Sequence, residues 1–216
     1  MIRSLTLFKT GVCIFAILSS LVFSMGISFA FPQLELGVNV VSPSKSILSG
    51  TDMSIGLSEE IIPGLSGEIL VGKASRDFNQ SSEIQFADGL ESNKIGVGLK
   101  ANLLGSDTGS MFIAFNVSKL TNKLKNDAYS YVRGSSTYDY SFSTDNSIEY
   151  MISAGTSTKY DEVDLDMGIG YSMTMIPVNV SKTVSTISGS NTLLSIDNYE
   201  DMLVDNKIVT VFRLKY

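Results

Sequence analysis

Apolar and polar residues alternate with a period of two along most of the chain beyond residue 30. The alternation is most regular over residues 163–175 and 94–103, where one face is apolar and the other carries glycine, hydroxyl and charged side chains. Successive side chains of a β-strand point to opposite faces, so this pattern predicts strands with two different faces. Other segments with the pattern are 33–41, 51–58, 66–75, 110–119, 147–157 and 206–216. The sequence therefore predicts an all-β protein with about eight antiparallel strands.

The connections between these strands alternate between short and long. Short ones lie at Pro63-Gly64, around residues 105–109 and at 158–162. The long connections are 42–50, 76–92, 121–146 and 176–205. An up-and-down barrel with tight turns at one end and long loops at the other has this arrangement. Residues 178–188 also alternate, so they either form an extended hairpin arm or, with 191–204, raise the count to ten strands.

The polar face of the strands helps to decide whether water or lipid surrounds the barrel. A soluble barrel or sandwich encloses its apolar face, whereas a transmembrane barrel turns that face to lipid and keeps polar groups inside. Charges in a narrow interior must pair, because isolated charges away from water are costly. We predict a transmembrane barrel, with a secreted soluble β-sandwich or barrel binding protein as the alternative. The predicted lumen ionic network comprises Glu35, Glu68, Lys94, Lys100, Glu149, Asp164, Asp166 and Arg213.

The first thirty residues differ from the rest of the chain. Arg3 and Lys9 precede an apolar run over residues 12–26, and Ser28 and Ala30 place small residues at a cleavage site. These features are typical of a secretory signal peptide, with an uncleaved anchor as the alternative. We therefore expect a signal peptide over 1–30 and a barrel domain over 31–216.

The last segment carries a resemblance to a known family. Phe212, Leu214 and Tyr216 share one face of a strand that ends on an aromatic residue. With the signal peptide and the loop alternation, the chain resembles the small eight-stranded outer-membrane barrels of the OmpA/OmpX type. The resemblance implies location in the bacterial outer membrane and contact with its lipid. It also implies that these three residues act as a signal for the barrel-assembly machinery, and that the long loops face outward.

Composition removes several kinds of chemistry. The sequence has no histidine, and its one cysteine is Cys13, so neither a Cys/His zinc site nor an internal disulfide can form. Histidine-based acid–base catalysis is excluded as well. Asp164 and Asp166 share a face and form a candidate carboxylate pair, but ion pairs with Lys94, Lys100 or Arg213 are the favoured interpretation. We expect no enzyme activity, metal or cofactor, and the net charge of −6 argues against nucleic acid as a partner.

The long segment 121–146 is rich in aromatic residues. Its alternating rings are interpreted as the aromatic girdle of a strand hairpin that extends beyond the membrane, or else as a protein-binding surface. They are Tyr129, Tyr131, Tyr138, Tyr140 and Phe142. The expected function is structural or adhesion-like, with loops that contact host or other cell-surface ligands. The alternative function is a porin-like narrow pore or a transport barrel for small molecules.

Overall fold

The computed structural model describes residues 33–41, 48–79, 83–106, 109–161, 163–188 and 190–216. The predicted signal peptide, 1–30, lies outside the described residues. The described chain is almost entirely β-structure, with one short 3₁₀ helix at Glu83–Ala87. The strands are β1 Gln33–Val41, β2 Leu48–Ile62, β3 Leu65–Phe78, β4 Gly89–Ser106, β5 Gly109–Leu124, β6 Ala128–Arg133, β7 Ser136–Thr144, β8 Ser147–Tyr160, β9 Val163–Ser188 and β10 Asn191–Lys215.

Eight of these strands close into a ring. Antiparallel pairing runs from β10 through β1, β2, β3, β4, β5 and β8 to β9, and β9 then pairs with β10. The strands nearest the two ends of the chain meet in this ring, with Leu36 opposite Leu214. Each of the eight predicted strands is present and all but β1 are longer than predicted. The predicted fold class, an antiparallel transmembrane-type β-barrel of about eight strands, is confirmed.

The remaining two strands form a hairpin beside the barrel wall. β6 pairs with β7, and β7 pairs with the far half of β9 from Ser136 opposite Thr186 to Thr144 opposite Val178. The prediction of a loop over 176–205 is wrong, because β9 and β10 stay paired without interruption out to Ser188 and Asn191. The extended-arm alternative is the one that the structure contains. Together, β6, β7 and the far halves of β9 and β10 form a four-stranded sheet, here called the distal module.

The outer surface of the ring is apolar. Leucine, isoleucine, valine, methionine and phenylalanine side chains project outward and are exposed on every ring strand, as Ile55, Ile95, Phe115, Ile152 and Ile169 illustrate. A second sheet packed over these side chains, as in a soluble sandwich, is absent among the described residues. The soluble alternative required this face to be enclosed, so the structure contradicts it. In the part of the chain described, no helix is both long and apolar enough to cross a membrane.

A glycine on β4 makes room for polar contacts inside the ring. Gly98 lies between Glu68 of β3 and Asn116 of β5 in the strand register. A Cβ atom at Gly98 would overlap the side-chain amide of Asn116, which would have to move to make room. The missing side chain lets Asn116 Nδ2 donate across β4 to Glu68 Oε2 at 3.2 Å. The glycines of the predicted polar face thus leave room for large charged residues in a narrow lumen.

Candidate functional site

Two clusters of buried charge fill the lumen. The first, the lower ionic cluster, lies towards the end of the ring where β1 begins and β10 ends. Arg213 is at its centre: Nη1 donates to Glu68 Oε2 at 2.9 Å and Nη2 donates to Asn116 Oδ1 at 3.0 Å. Arg213 Nε also lies 3.3 Å from Glu35 Oε1. Lys215 Nζ is 3.4 Å from Glu68 and 3.5 Å from Glu35.

A second ion pair completes the lower ionic cluster. Lys100 Nζ contacts both carboxylate oxygens of Asp166, at 2.7 and 2.6 Å. Asp166 lies opposite Arg213 in the register of β9 and β10, so the pair adjoins the first group of charges. The structure therefore places Asp166 in an ion pair with a lysine. Asp164, the other half of the candidate carboxylate pair, is half-buried near the start of β9, opposite Lys215 in the register.

The upper ionic cluster lies on the side of the distal module, with Glu149 at its centre. Its carboxylate accepts from Lys94 Nζ at 2.5 Å, from Arg76 Nη2 at 3.1 Å and from Ser172 Oγ at 2.9 Å, and it lies 3.1 Å from Lys207 Nζ. Two further acids extend the cluster. Asp52 receives two hydrogen bonds from Arg76, at 3.2 and 2.7 Å, and Asp205 lies 3.2 Å from Lys207.

The two clusters balance in formal charge. Each cluster has three acids and three bases, and none of the twelve residues is more than 4% exposed. A buried charge that loses its partner destabilises a protein strongly, so equal numbers of acids and bases favour the burial of these residues together. The lower set is Glu35, Glu68, Asp166, Lys100, Arg213 and Lys215, and the upper set is Asp52, Glu149, Asp205, Arg76, Lys94 and Lys207.

Three apolar residues lie between the two ionic clusters on the side of the ring formed by β8, β9 and β10. Met151, Val209 and Val211 are buried against one another there, beside the buried polar Asn39, which lies opposite Val211. Along β10 the inward positions run from the upper cluster at Lys207, through the two valines, to the lower cluster at Arg213. A water-filled channel would leave its lining residues exposed to water. The described lumen side chains form a filled interior instead.

Sequence reasoning located most of this network but not all of it. Of the eight predicted residues, Lys94 and Glu149 lie in the upper cluster, five lie in the lower cluster, and Asp164 lies at the edge. Five members of the clusters were not included in the predicted network: Asp52, Arg76, Asp205, Lys207 and Lys215. Arg76 lies on the inward face one residue beyond the predicted end of its strand. Lys207 lies within the predicted strand 206–216, and its alternation with the apolar Ile208 was a signal that it belongs to the polar face.

The ring is capped by an apolar core at the end that bears the distal module. This mouth core packs residues of β2, β4, β5, β7, β9, β10 and the 3₁₀ helix around Ile176 and Val178, which are fully buried. Its members are Leu48, Ile84, Ala87, Leu90, Leu124, Tyr140, Phe142, Ile176, Val178, Val180 and Leu203. It joins the distal module to the barrel as one packed unit.

The aromatic residues of the distal module stack on one another. Phe86 of the 3₁₀ helix stacks on Tyr129 with ring centroids 4.3 Å apart, and Tyr131 stacks on Tyr138 at 4.8 Å. Tyr140 and Phe142 are buried in the mouth core. The girdle interpretation is wrong, because these rings lie on the inner face of the β6–β7 hairpin, where they pack against the 3₁₀ helix and β9. A girdle would place them on the outer wall, facing lipid.

The outer face of the distal module is polar in the part next to the barrel. Serine and asparagine occupy outward positions there, with Ser141 opposite Ser181 and Ser181 opposite Asn198 across three strands. Ser181 Oγ donates to Asn198 Oδ1 at 2.6 Å. A shallow groove of about 370 Å³ runs over this face.

Below it, on the outer wall of the ring, Phe212, Leu214 and Tyr216 project outward and are exposed. Within the described ranges, no three acids, cysteines or histidines are grouped as metal ligands would be.

Comparison with known proteins gives similarity in structure only. No protein-family model matches the chain, and no curated protein matches it significantly in sequence. Among solved structures, Neisserial surface protein A is 12% identical over 88% of this chain and all of its own, with a TM-score of 0.49. The outer membrane protein AlkL is 9% identical over 88% of this chain and 93% of its own, at 0.40. The outer membrane protease OmpT of Escherichia coli is 12% identical over 88% and 98%, at 0.35.

The class of the protein follows from its own geometry. A closed antiparallel ring, an apolar outer wall and a charge-paired interior together define a small β-barrel of the outer-membrane type. The predicted resemblance to small outer-membrane barrels is confirmed at the level of the fold.

Proposed function

We propose that the chain is an outer-membrane barrel that holds a rigid recognition module at the cell surface, in a structural or adhesion-like role without catalysis. The observation that supports this most is the reversal of polarity along β9. Its outward residues change from Met167 and Ile169 in the barrel to Asn179 and Ser181 in the distal module. Such a change is expected where a strand leaves lipid and enters water.

The sealed lumen argues against the alternative of a narrow pore. Two buried ionic clusters, the apolar residues between them and the mouth core lie along the path that an ion would take. To conduct, the barrel would have to break several buried ion pairs at once. In planar bilayers, we expect the protein to show no stable conductance steps.

Location and orientation form part of the same proposal. The resemblance to outer-membrane barrels implies that the short turns face the periplasm and that the distal module faces outward. Phe212, Leu214 and Tyr216 project from the last strand at the periplasmic end, where the assembly machinery would recognise them. Host or neighbouring-cell ligands would then meet the distal module.

Cysteine labelling tests this orientation directly, because Cys13 is the chain's one cysteine and lies in the predicted signal peptide. Ser195→Cys places a thiol in the distal module, and Asp161→Cys places one at a short turn. An impermeant maleimide applied to intact cells should label the first variant and label the second only after the cells are lysed. Labelling of both in intact cells, or of neither, would contradict the proposed orientation.

The interaction role needs its own test. Cells that display the full chain should adhere to host or neighbouring cells more strongly than cells that display a chain without residues 128–144. Both chains should be present at equal levels in the membrane fraction. Equal adherence would contradict the recognition role without contradicting the barrel fold.

A further inference from the structure

The distal module has one strand edge that lacks the usual protection against pairing. Among the described residues, β9 is the one strand that pairs with β10 between Asn191 and Asn198, and the other side of this stretch has no partner strand there. Proteins normally protect such an edge with charged side chains, proline or a short strand, because its backbone groups pair readily with another chain. The stretch from Asn191 to Ile196 contains neither a charge nor a proline.

The opposite edge of the module is protected. β6 forms that edge, and it is six residues long. It ends at the charged Arg133, and Tyr129 within it stacks on Phe86 of the 3₁₀ helix. The two edges of one small sheet thus differ, and the β10 edge is the one suited to pair with a further strand.

Apolar side chains line the β10 edge on the outer face of the module. Leu194 is 62% exposed, Ile196 60%, and Ile187 on the neighbouring strand 63%. Ile187 lies opposite Thr192 in the register of β9 and β10. Thr192, Leu194 and Ile196 alternate along one strand, so all four side chains point to the same face. The edge therefore offers a partner both backbone groups and an apolar strip.

The sequence of this edge is its own complement. When a second copy pairs antiparallel with Leu194 opposite Leu194, Ile196 faces Thr192 on the outer face. Asp197, the first acid after the edge, then faces Asn191 and not another acid. The three exposed apolar side chains of each copy meet in one strip, because opposite residues of an antiparallel pair point to the same side. An uncharged edge also approaches a second copy without the repulsion that the net charge of −6 creates elsewhere.

The direction of the strands decides where the second copy is held. Copies in one membrane present β10 in the same direction, so their edges cannot pair antiparallel, whereas copies in two membranes that face each other present it in opposite directions. Leu194 lies opposite Ser185, ten residues along β9 from Met175, the last exposed apolar residue of the outer wall on that strand. This distance, about 33 Å of extended strand, carries the edge clear of the membrane that holds the barrel.

We propose that two copies on apposed cells pair through the β10 edges of their distal modules and so join the two outer membranes. The inference rests on the proposed function, and it names the partner as a second copy of this chain. Antiparallel pairing lets each copy supply the strand that the other lacks, in a closed two-fold contact.

A disulfide test reads this register directly. In a Cys13→Ser background, Leu194→Cys places two thiols opposite each other, with about 5 Å between Cα atoms, a distance that a disulfide spans. Ile196→Cys is the matched control, because its two copies lie four residues apart along the strand, about 13 Å, which is too far. On mild oxidation of cells that display the chain, we expect at least ten times more cross-linked dimer from Leu194→Cys. Equal amounts, or none from either variant, would overturn the proposal.

Mixed cells show whether the two copies belong to different membranes. Two populations display the Leu194→Cys chain with different tags and are oxidised after they are pelleted together. Pairing between cells predicts dimers that carry both tags, in amounts similar to those that carry one. Dimers of a single tag only would overturn the proposal in favour of contact within one membrane.

A charge exchange tests the contact without oxidation. Leu194→Lys or Leu194→Glu should each slow the sedimentation of displaying cells at least tenfold, since like charges would lie directly opposite each other. An equal mixture of the two populations should restore it. Val132→Lys, on the same face at the protected edge, is the control and should change nothing. No loss in either single variant, or no recovery in the mixture, would contradict pairing through this edge.

The proposed function is checked in the same cells. The change in gel mobility that a folded barrel shows on boiling, here called the heat shift, confirms that each variant is folded. A folded chain that adheres to cells lacking the chain, but does not cross-link at Leu194→Cys, would overturn pairing between copies alone. Loss of the heat shift, or equal adherence with and without residues 128–144, would count against the proposed function.

Discussion

The barrel and the distal module are built from the same strands but have opposite polarity. Within the barrel, the inward residues of β9 include Asp166 and Thr174, while Ile169 points outward. Beyond Ile176 the inward residues include Val178 and Val180, and the outward ones from Asn179 to Ser185 are asparagine, serine and threonine. The hydrogen-bonded register with β10 continues unchanged through this point.

This contrast shows that the surroundings, rather than the backbone, decide which face of a strand is apolar. In the barrel the apolar face contacts lipid, so the charged side chains fill the interior. In the distal module the polar face contacts water, so the apolar and aromatic side chains pack inward and form the mouth core. The position of the reversal marks the membrane boundary on the loop side, near Ile176.

The largest expected effect comes from breaking the charge balance inside the barrel. Glu149→Ala leaves Arg76, Lys94 and Lys207 without their shared carboxylate, and should lower the free energy of unfolding by about 4 kcal/mol. Urea titration of the folded barrel, followed by its unboiled gel mobility, measures this. The double change Lys100→Met and Asp166→Leu removes both partners of a pair and should cost less than Asp166→Leu alone. A larger cost for the double change would contradict the account of the lumen.

A charge placed on the outer wall tests the lipid side of the contrast. Ile169→Lys puts an ammonium group where the account places lipid, and should cost about 3 kcal/mol. Thr183→Lys is the matched control, since the same strand faces water there, and should cost nearly nothing. Unfolding from lipid vesicles by urea compares the two. Equal costs would place the membrane boundary elsewhere.

Removing apolar volume from the mouth core should have a smaller and more local effect. Val180→Ala deletes two methyl groups from a buried site and should cost about 2 kcal/mol. We expect faster proteolysis within residues 125–146 while the heat shift of the barrel persists. Thr183→Ala, on the outer face of the same strand, serves as the control. A lost heat shift in Val180→Ala would mean that the two regions do not separate as described.

The smallest effect is expected for a charge pair outside the lumen. Lys125 Nζ lies 2.5 Å from Asp77 Oδ1, but the side chain of Asp77 is largely exposed. Asp77→Ala should change stability by less than about 1 kcal/mol, because water screens the pair. A cost as large as that of Glu149→Ala, in the same urea titration, would remove the distinction between buried and exposed pairs.

The ring was predictable from sequence because period-two alternation is a local signal. The distal module was predicted only as alternatives, an extended arm over 178–188 and a hairpin within 121–146, because its strands reverse polarity and Val178 and Val180 no longer match a polar inward face. The partners in the lumen were also beyond local patterns. Arg213 meets Glu68 across 145 residues of sequence, and which acid faces which base depends on strand register and barrel closure. The alternating aromatic residues of 121–146 signalled a hairpin, but its inward orientation depends on the 3₁₀ helix that Phe86 belongs to.

The central claim is that the chain folds as a closed barrel whose apolar wall faces lipid. Gel mobility of the membrane fraction, with and without boiling in detergent, tests it most directly. A closed ring has no free strand edge at which detergent can begin to unfold it. The unboiled protein should therefore stay folded, and its mobility should change after boiling. Protein in the soluble fraction, with one mobility under both conditions, would contradict the account.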